Sequence, residues 1–279
     1  MADNPLRLDE IGYWSEVKLE IVRKYAAAYS RILSRQASIK AHVHIDAFAG
    51  AGSHISKASK EVVAGSPVNA LHIDPPFSEL HFIDLKGGRA AELRRQAAGD
   101  ARVTVHQGDC NKVLIDQVFP RCKWADFRRA LCLLDPYGLN VNWEVLSTAG
   151  SMKSIEIFYN FMIMDANMNV FMRDPGKVTS AQVGRMDAVW GDGSWKAAAY
   201  TMTPDLFGHT EEKATNEDIA EAFRERLEKV AGFAFVPAPM PMRNSRGAVV
   251  YYLYFASQNS TGAKIVNEIF ATYRSRGAV

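Results

Sequence analysis

Ala130-Leu131-Cys132-Leu133-Leu134-Asp135-Pro136-Tyr137-Gly138 is a short apolar run that ends in an acid, a proline, an aromatic ring and a glycine. The apolar residues read as a buried strand, and the proline and glycine stop it. In open α/β sheets, ligands bind just beyond the carboxyl ends of the strands. A strand halting on Asp-Pro-Tyr brings a carboxylate, a free carbonyl and a flat ring to that edge, groups that suit a planar nitrogenous substrate.

The flanking sequence repeats the pattern. Residues 42–46, 80–84, 102–106 and 154–161 read as further strands, and 89–97 as a helix between two of them. Strands separated by helical patterns imply parallel βαβ units and a doubly wound α/β sheet. Ahead of it, Trp14, Val17, Ile21, Tyr25, Tyr29 and Ile32 recur at helical spacing and predict an amphipathic helix over about 14–35. Its polar face is assigned Lys18, Arg23, Lys24, Arg31 and Arg35, a charged stripe that is either solvated or tracks a nucleic-acid backbone. Residues 217–230 read as a helix, 233–236 and 249–257 as two strands joined by a proline-rich connection, and 262–273 as a closing helix. Two late strands with no helix between them predict an antiparallel hairpin on a mostly parallel sheet. The segment from about 162 to 215 is rich in Met, Asp and Gly and reads as an insertion of short helices and loops over the strand ends. The expectation is a single domain over 1–279.

Composition bounds the function. The 279 residues are 48% apolar, enough for a core, with a formal net charge of +2, which neither demands nor forbids a nucleic-acid partner. No run of about 18 apolar residues marks a membrane span. Residues 1–10 are polar and carry no secretory pattern. Cys110, Cys122 and Cys132 form no C-x-x-C pair and are odd in number. That favours a reducing compartment, hence a cytoplasmic protein, over a disulfide framework or a structural metal site.

After the first strand comes Asp46-Ala47-Phe48-Ala49-Gly50-Ala51-Gly52, small residues that let the backbone approach a ligand closely. The next strand ends on Asp84, where such folds place an acid against ribose hydroxyls, and the third on Gly108-Asp109. Three strand-end acids repel a pyrophosphate and suit a ligand with a cationic centre, an amine and a ribose. S-adenosylmethionine fits that description better than NAD or ATP. The competing assignment for each acid is a helix N-cap.

Together these motifs resemble the class I S-adenosylmethionine-dependent methyltransferases. More closely, residues 46–52, Gly65-Ser66-Pro67, Gly108-Asp109-Cys110-Asn111, Asp135-Pro136-Tyr137-Gly138, Asn160-Phe161 and the stretch from Trp190-Gly191 to Trp195 are similar to the three-Cys-motif partner family. The resemblance spans about 14–275. It implies a Rossmann-like, seven-stranded, mostly parallel sheet. It also implies a bacterial protein encoded beside a three-cysteine, radical-SAM-like protein, a candidate partner. By resemblance, Asp46, Gly50 and Gly52 line the methionine side of the cofactor, Asp84 its ribose and Asp109 its adenine, with Phe48 and Cys110 as further cofactor-binding residues.

Two stretches are similar to the D-P-P-[FYW] motif of amino-group methyltransferases. Asp74-Pro75-Pro76-Phe77 matches letter for letter but follows a helix end, where a proline pair serves as a stop. Asp135-Pro136-Tyr137-Gly138 is one letter worse but follows a strand. In those families the acid and the proline carbonyl accept hydrogen bonds from the substrate NH2 while the ring stacks on the base. Here Asp135, Pro136 and Tyr137 would take those roles, although Tyr137 directly follows the first proline and Gly138 holds the usual aromatic position. Asn160, Phe161, Trp190 and Trp195 are candidate substrate contacts. For the tryptophans, packing a lid against the core is the alternative. Arg243-Asn244-Ser245-Arg246 reads as a basic hairpin tip. His42 and His44 share a strand face without a third ligand, so a structural role is expected, and no metal.

The function expected is methyl transfer to an amino nitrogen, of a nucleobase in RNA or DNA. The alternatives are a small metabolite or peptide substrate handled with the radical-SAM-like partner, or a non-catalytic partner subunit.

Overall fold

The computed structural model of the chain describes residues 8–172, 174–205 and 208–275. In chain order it runs β1 (Glu10–Ile11), α1 (Tyr13–Leu33), β2 (Ala41–Asp46), β3 (Ser53–Ser56), β4 (Val62–Ala64), α2 (Ser66–Leu71), β5 (Glu79–Asp84), α3 (Gly87–Gln96), β6 (Val103–Gln107) and α4 (Cys110–Val113). Irregular helical turns then lead to β7 (Arg128–Leu134), α5 (Trp143–Met152), β8 (Ile155–Phe161), α6 (Ile163–Asn169), α7 (Ser180–Trp190) and α8 (Trp195–Ala199). Last come β9 (Tyr200–Asp205), β10 (Gly208–Lys213), α9 (Asn216–Lys229), β11 (Met240–Arg243), β12 (Val249–Ala256) and α10 (Ser260–Ser275).

Seven strands form one sheet in the order β11-β12-β8-β7-β2-β5-β6. β2, β5, β6, β7 and β8 are mutually parallel, and β12 enters antiparallel between β8 and β11. This is the Rossmann-like, mostly parallel sheet with a C-terminal antiparallel hairpin that the sequence predicts. β7 shows why the apolar runs carry no polar alternation. Ala130, Cys132 and Leu134 face one buried cluster, with α5, α7 and α9. Leu131 and Leu133 face the other, with α1, α3 and α10. A sheet covered on both faces buries every side chain of its central strands.

Two expectations are corrected, and one element is new. The hairpin's first strand is β11 rather than 233–236, where Phe235 makes only a single bridge to Ser257. Met240 and Met242 point inward and are fully buried. Pro241 between them is tolerated because β11 is an edge strand whose outer N–H has no ladder partner to lose. The 162–215 segment holds a β9–β10 hairpin besides its helices. A small sheet, β1-β3-β4, was not anticipated. Its strands are two to four residues long, too short to show a periodicity.

Strand order decides where the site can form. From β6 through β5, β2 and β7 to β8, the strand-end residues are Asp109, Asp84, Asp46, Asp135 and Asn160, neighbours along one edge. The parallel register pairs Leu134 with Tyr159, so Asp135 and Asn160 fall side by side one step later. Among the described residues no helix is long and apolar enough to cross a membrane.

Candidate active site

Asp46 ends the central strand with no solvent exposure. Its Oδ1 accepts the Phe48 N–H at 3.2 Å, the nearby Ser66 hydroxyl helps hold its charged form, and its Oδ2 makes no well-formed hydrogen bond among the described residues. Burial, aided by the negative charge of Asp135, pushes its pKa up to about 7. The loop that follows turns on Gly50 (φ +65°) and Gly52 (φ +82°), left-handed conformations that favour glycine. A side chain at Gly50 would meet nothing within 4 Å, so this turn presents bare backbone to open space. The Gly50 N–H donates to Asp84 Oδ2 at 3.0 Å and the Lys86 N–H to Asp84 Oδ1 at 2.7 Å, tying the glycine loop to the end of β5. Asp109 is exposed and caps α4, accepting the Asn111 N–H at 3.0 Å. The neighbouring Cys110 thiol turns into the core, where burial raises its pKa to about 12. Cys110 therefore offers this edge main chain rather than sulfur.

Asp135 is held from two sides. Lys18, from α1, forms an ion pair with its Oδ2, and the Asn160 amide donates to its Oδ1. A carboxylate only accepts, so the Asn160 Nδ2 must face it, leaving Asn160 Oδ1 buried without a partner among the described residues. Pro136 is buried, whereas the Tyr137 ring is 68% exposed and its hydroxyl donates to Asp9 at 3.2 Å. Gly138 is explained by the next loop. A Cβ there would stand 2.8 Å from Asp165 Oδ2, which accepts the Leu139 N–H at 2.9 Å and pairs with Arg185 at 2.7 Å.

Lys18, Asp135, Pro136, Tyr137 and Asn160 line a cleft of about 220 Å³ together with Phe48, Trp14, His54, Met162 and Tyr251, while Asp46, Gly50, Asp84 and Asp109 lie outside its lining. Asp9, just ahead of β1, crosses its mouth as a strap, pairing with Arg89 at 2.6 Å and accepting from Tyr137. Arg89 in turn stands 3.9 Å from Asp84. Small-molecule pockets run to roughly 300–1,000 Å³. With the strap in place the cleft therefore has room for one ring-sized group.

Three predicted substrate contacts lie elsewhere. Phe161 is fully buried and stacked on Phe223, with centroids 4.7 Å apart. It follows Asn160 on β8, and successive strand residues point to opposite faces. Trp190 packs 5.3 Å from Phe223 and donates to Ser194 Oγ at 3.0 Å. Trp195 packs 5.8 Å from Phe171 and donates to Asp187 at 2.6 Å. Both are core residues, as the alternative had it. Phe77 of the rejected Asp-Pro-Pro-Phe run is fully buried against Tyr29 and His44, before β5 begins and so at the opposite edge. His42 bonds Ser30 at 2.8 Å, and His44 meets Phe77 edge-on.

The residue the sequence reading misplaced is Lys18. Arg23, Arg31 and Arg35 are exposed as expected, but Lys18 is buried. Its position carried the signal: it follows Trp14 by four residues and precedes Ile21 by three and Tyr25 by seven, on the apolar stripe.

No family model matches the sequence, and no curated protein matches it. Among solved structures the chain is similar to protein LPL1258 from Legionella pneumophila, of the DUF519 family model. That match has a TM-score of 0.53 at 9% identity over 94% of this chain and 91% of that one. DszA carbon methyltransferase gives 0.43 at 14% identity, over 87% of this chain and 54% of that one. An S-adenosylmethionine-dependent methyltransferase from Mesorhizobium loti gives 0.37 at 12% identity, over 83% and 97%. The first likeness is one of fold.

Proposed function

We propose that the chain is an S-adenosylmethionine-dependent methyltransferase acting on an amino nitrogen, of a nucleobase in RNA or DNA. The observation that carries this reading is a pair of buried acceptors, Asp46 Oδ2 and Asn160 Oδ1, that find no donor among the described residues, on either side of Asp135. Buried polar atoms are normally paired, and unpaired ones at a strand-end edge ask for a ligand rich in N–H groups.

The residues fit the cofactor. The buried Asp46 Oδ2 suits a cationic amine, the open Gly50 turn leaves room beside it, and Asp84 and Asp109, though each already accepts main-chain N–H groups, keep acceptor positions for ribose and base. When bound, the cofactor supplies an electrophilic methyl group on a sulfonium centre. The protein's own work is positioning and exclusion of water. Asp135 and the Pro136 carbonyl accept the two amino hydrogens, turning the nitrogen lone pair out of conjugation, with Asn160 Oδ1 beside them as a further acceptor for the substrate. Asp135, fixed by Lys18 and Asn160, takes the proton the nitrogen sheds. Its side chain is 25% exposed, so that proton reaches solvent. The exposed Tyr137 ring stacks on the base, which a duplex would have to flip out.

A second reading, a small metabolite or peptide substrate, is favoured by the strapped 220 Å³ cleft. In it, the three-cysteine radical-SAM-like protein would be the partner that delivers or consumes the substrate. Salt separates the two: substrate binding that weakens steeply between 50 and 200 mM salt marks a polyanion, and salt-indifferent turnover marks a small molecule. The direct test of the proposal is Asp135→Ala. Methyl transfer from labelled S-adenosylmethionine should vanish while calorimetric cofactor affinity changes little. Full activity in this variant, or no cofactor binding by the wild type, overturns the proposal.

A further inference from the structure

At the opposite edge of the sheet, between α1 and α10, lies a cavity of about 450 Å³, double the volume of the strapped cleft. The function proposed above leaves it unused. Its floor is Glu156, the second residue of β8 and 9% exposed. Glu156 accepts from the Tyr25 hydroxyl and, at 2.8 Å, from Ser257 Oγ. A carboxylate has about four acceptor positions, so two remain. The Tyr29 hydroxyl, on the same lining, is buried without a partner among the described residues. Gly262, in the first turn of α10, keeps this floor open: a Cβ there would come within 2.6 Å of the Tyr25 hydroxyl and 3.2 Å of Glu156 Oε1.

The walls are aliphatic, from Ile32, Ile39 and Ile265. Charge changes sign toward the entrance. Arg129 stacks 3.3 Å over the half-exposed Trp124 ring, and Lys153 is exposed. Neither cation pairs with a carboxylate among the described residues. Arg129 Nη1 donates to the Arg128 carbonyl at 2.7 Å, which leaves its other N–H groups for a ligand. A buried acid inside, apolar walls, and two cations without a carboxylate partner outside make a dipolar site whose volume lies in the range of small-molecule pockets.

We propose that this cavity is a second ligand site, for a free mononucleotide whose planar base presents adjacent N–H donors. The donor edge would meet Glu156, the ring would lie between the aliphatic walls, and the phosphate would reach Arg129 and Lys153. A guanine base has that donor pair, whereas an adenine base sets an acceptor beside its amine. Burial raises the Glu156 pKa to about 7, and a paired N–H donor would favour its charged form, as the dipolar arrangement requires.

The test is calorimetric titration of the full chain with GMP and with AMP. One saturable GMP site is expected, with AMP weaker by about tenfold or more, as bidentate base recognition gives. Glu156→Gln should erase that preference. The exposed rim variant Lys153→Glu, which does not depend on the core surviving a change, should weaken GMP severalfold. Asp135→Ala should leave GMP affinity unchanged, separating this site from the cleft. Absence of saturable GMP binding, unchanged affinity in Lys153→Glu, loss of GMP in Asp135→Ala, or displacement of GMP by a single-stranded oligonucleotide at lower concentration each overturns the assignment.

Discussion

Lys18 and Asp135, 117 positions apart in sequence, form an ion pair that joins the N-terminal helix to the end of a central strand. Their side chains are 8% and 25% exposed, so neither charge is free to relax fully into water. Removing one partner of a buried pair leaves the other uncompensated, which costs about 3–5 kcal/mol in full burial and less where one side is wet. Lys18→Met should therefore destabilise the protein by about 2–3 kcal/mol in urea denaturation. Adding Asp135→Asn should restore part of the loss, giving a clear coupling in the double-mutant cycle. Additive effects would mean that the pair contributes nothing to folding.

Asp46 sets function against stability. Its folded pKa of about 7 lies above the ordinary 3.8, so the folded state holds this proton more tightly than the unfolded chain does. Stability therefore falls as pH rises from about 4 to about 7 and levels off above. Glu156, raised to about 7 from 4.5, adds a slope of the same sign. Asp46→Asn should remove its share of that slope and raise the thermal midpoint at pH 8, while cofactor binding drops sharply. A lower midpoint at pH 8 would show that the carboxylate is satisfied in the folded protein.

The strap makes a separate kinetic prediction. Asp9 holds Arg89 and Tyr137 across the mouth but is itself partly exposed, and exposed ion pairs contribute about 0–1 kcal/mol. Asp9→Ala should leave the unfolding midpoint nearly unchanged while speeding ligand entry and release in stopped-flow measurements. Unaltered rates would mean that the strap lies aside in solution.

Sheet and edge were legible because their signals are local. Apolar runs end on Asp46, Asp84 and Asp135, and a parallel sheet needs no more than such runs with helices between them. Asn160 was legible for the same reason. What escaped was set by distant sequence. Lys18 looked solvated because charge outweighed its place on the apolar stripe, and its partner lies 117 residues on. For Trp190 and Trp195 the sequence leaves stacking on substrate and packing on the core both open, because aromatic residues in a Gly-Asp-Gly turn carry the same letters in either role. Phe223, on α9, decides for Trp190, and Phe171 for Trp195.

Trp190 tests that last distinction. It is 3% exposed, packed on Phe223, and covered at its carbonyl by the Arg226 guanidinium. Replacing such a side chain with alanine leaves a cavity that neighbours on two helices close only in part, a loss of about 3–5 kcal/mol. Trp190→Ala should therefore lower stability by that amount in chemical denaturation, while the KM of the fraction that remains folded stays at the wild-type value. A residue that stacked on substrate would behave the other way, with KM rising severalfold and stability changing by under about 1 kcal/mol. Tyr137→Ala, at the exposed ring beside Asp135, should show that second pattern.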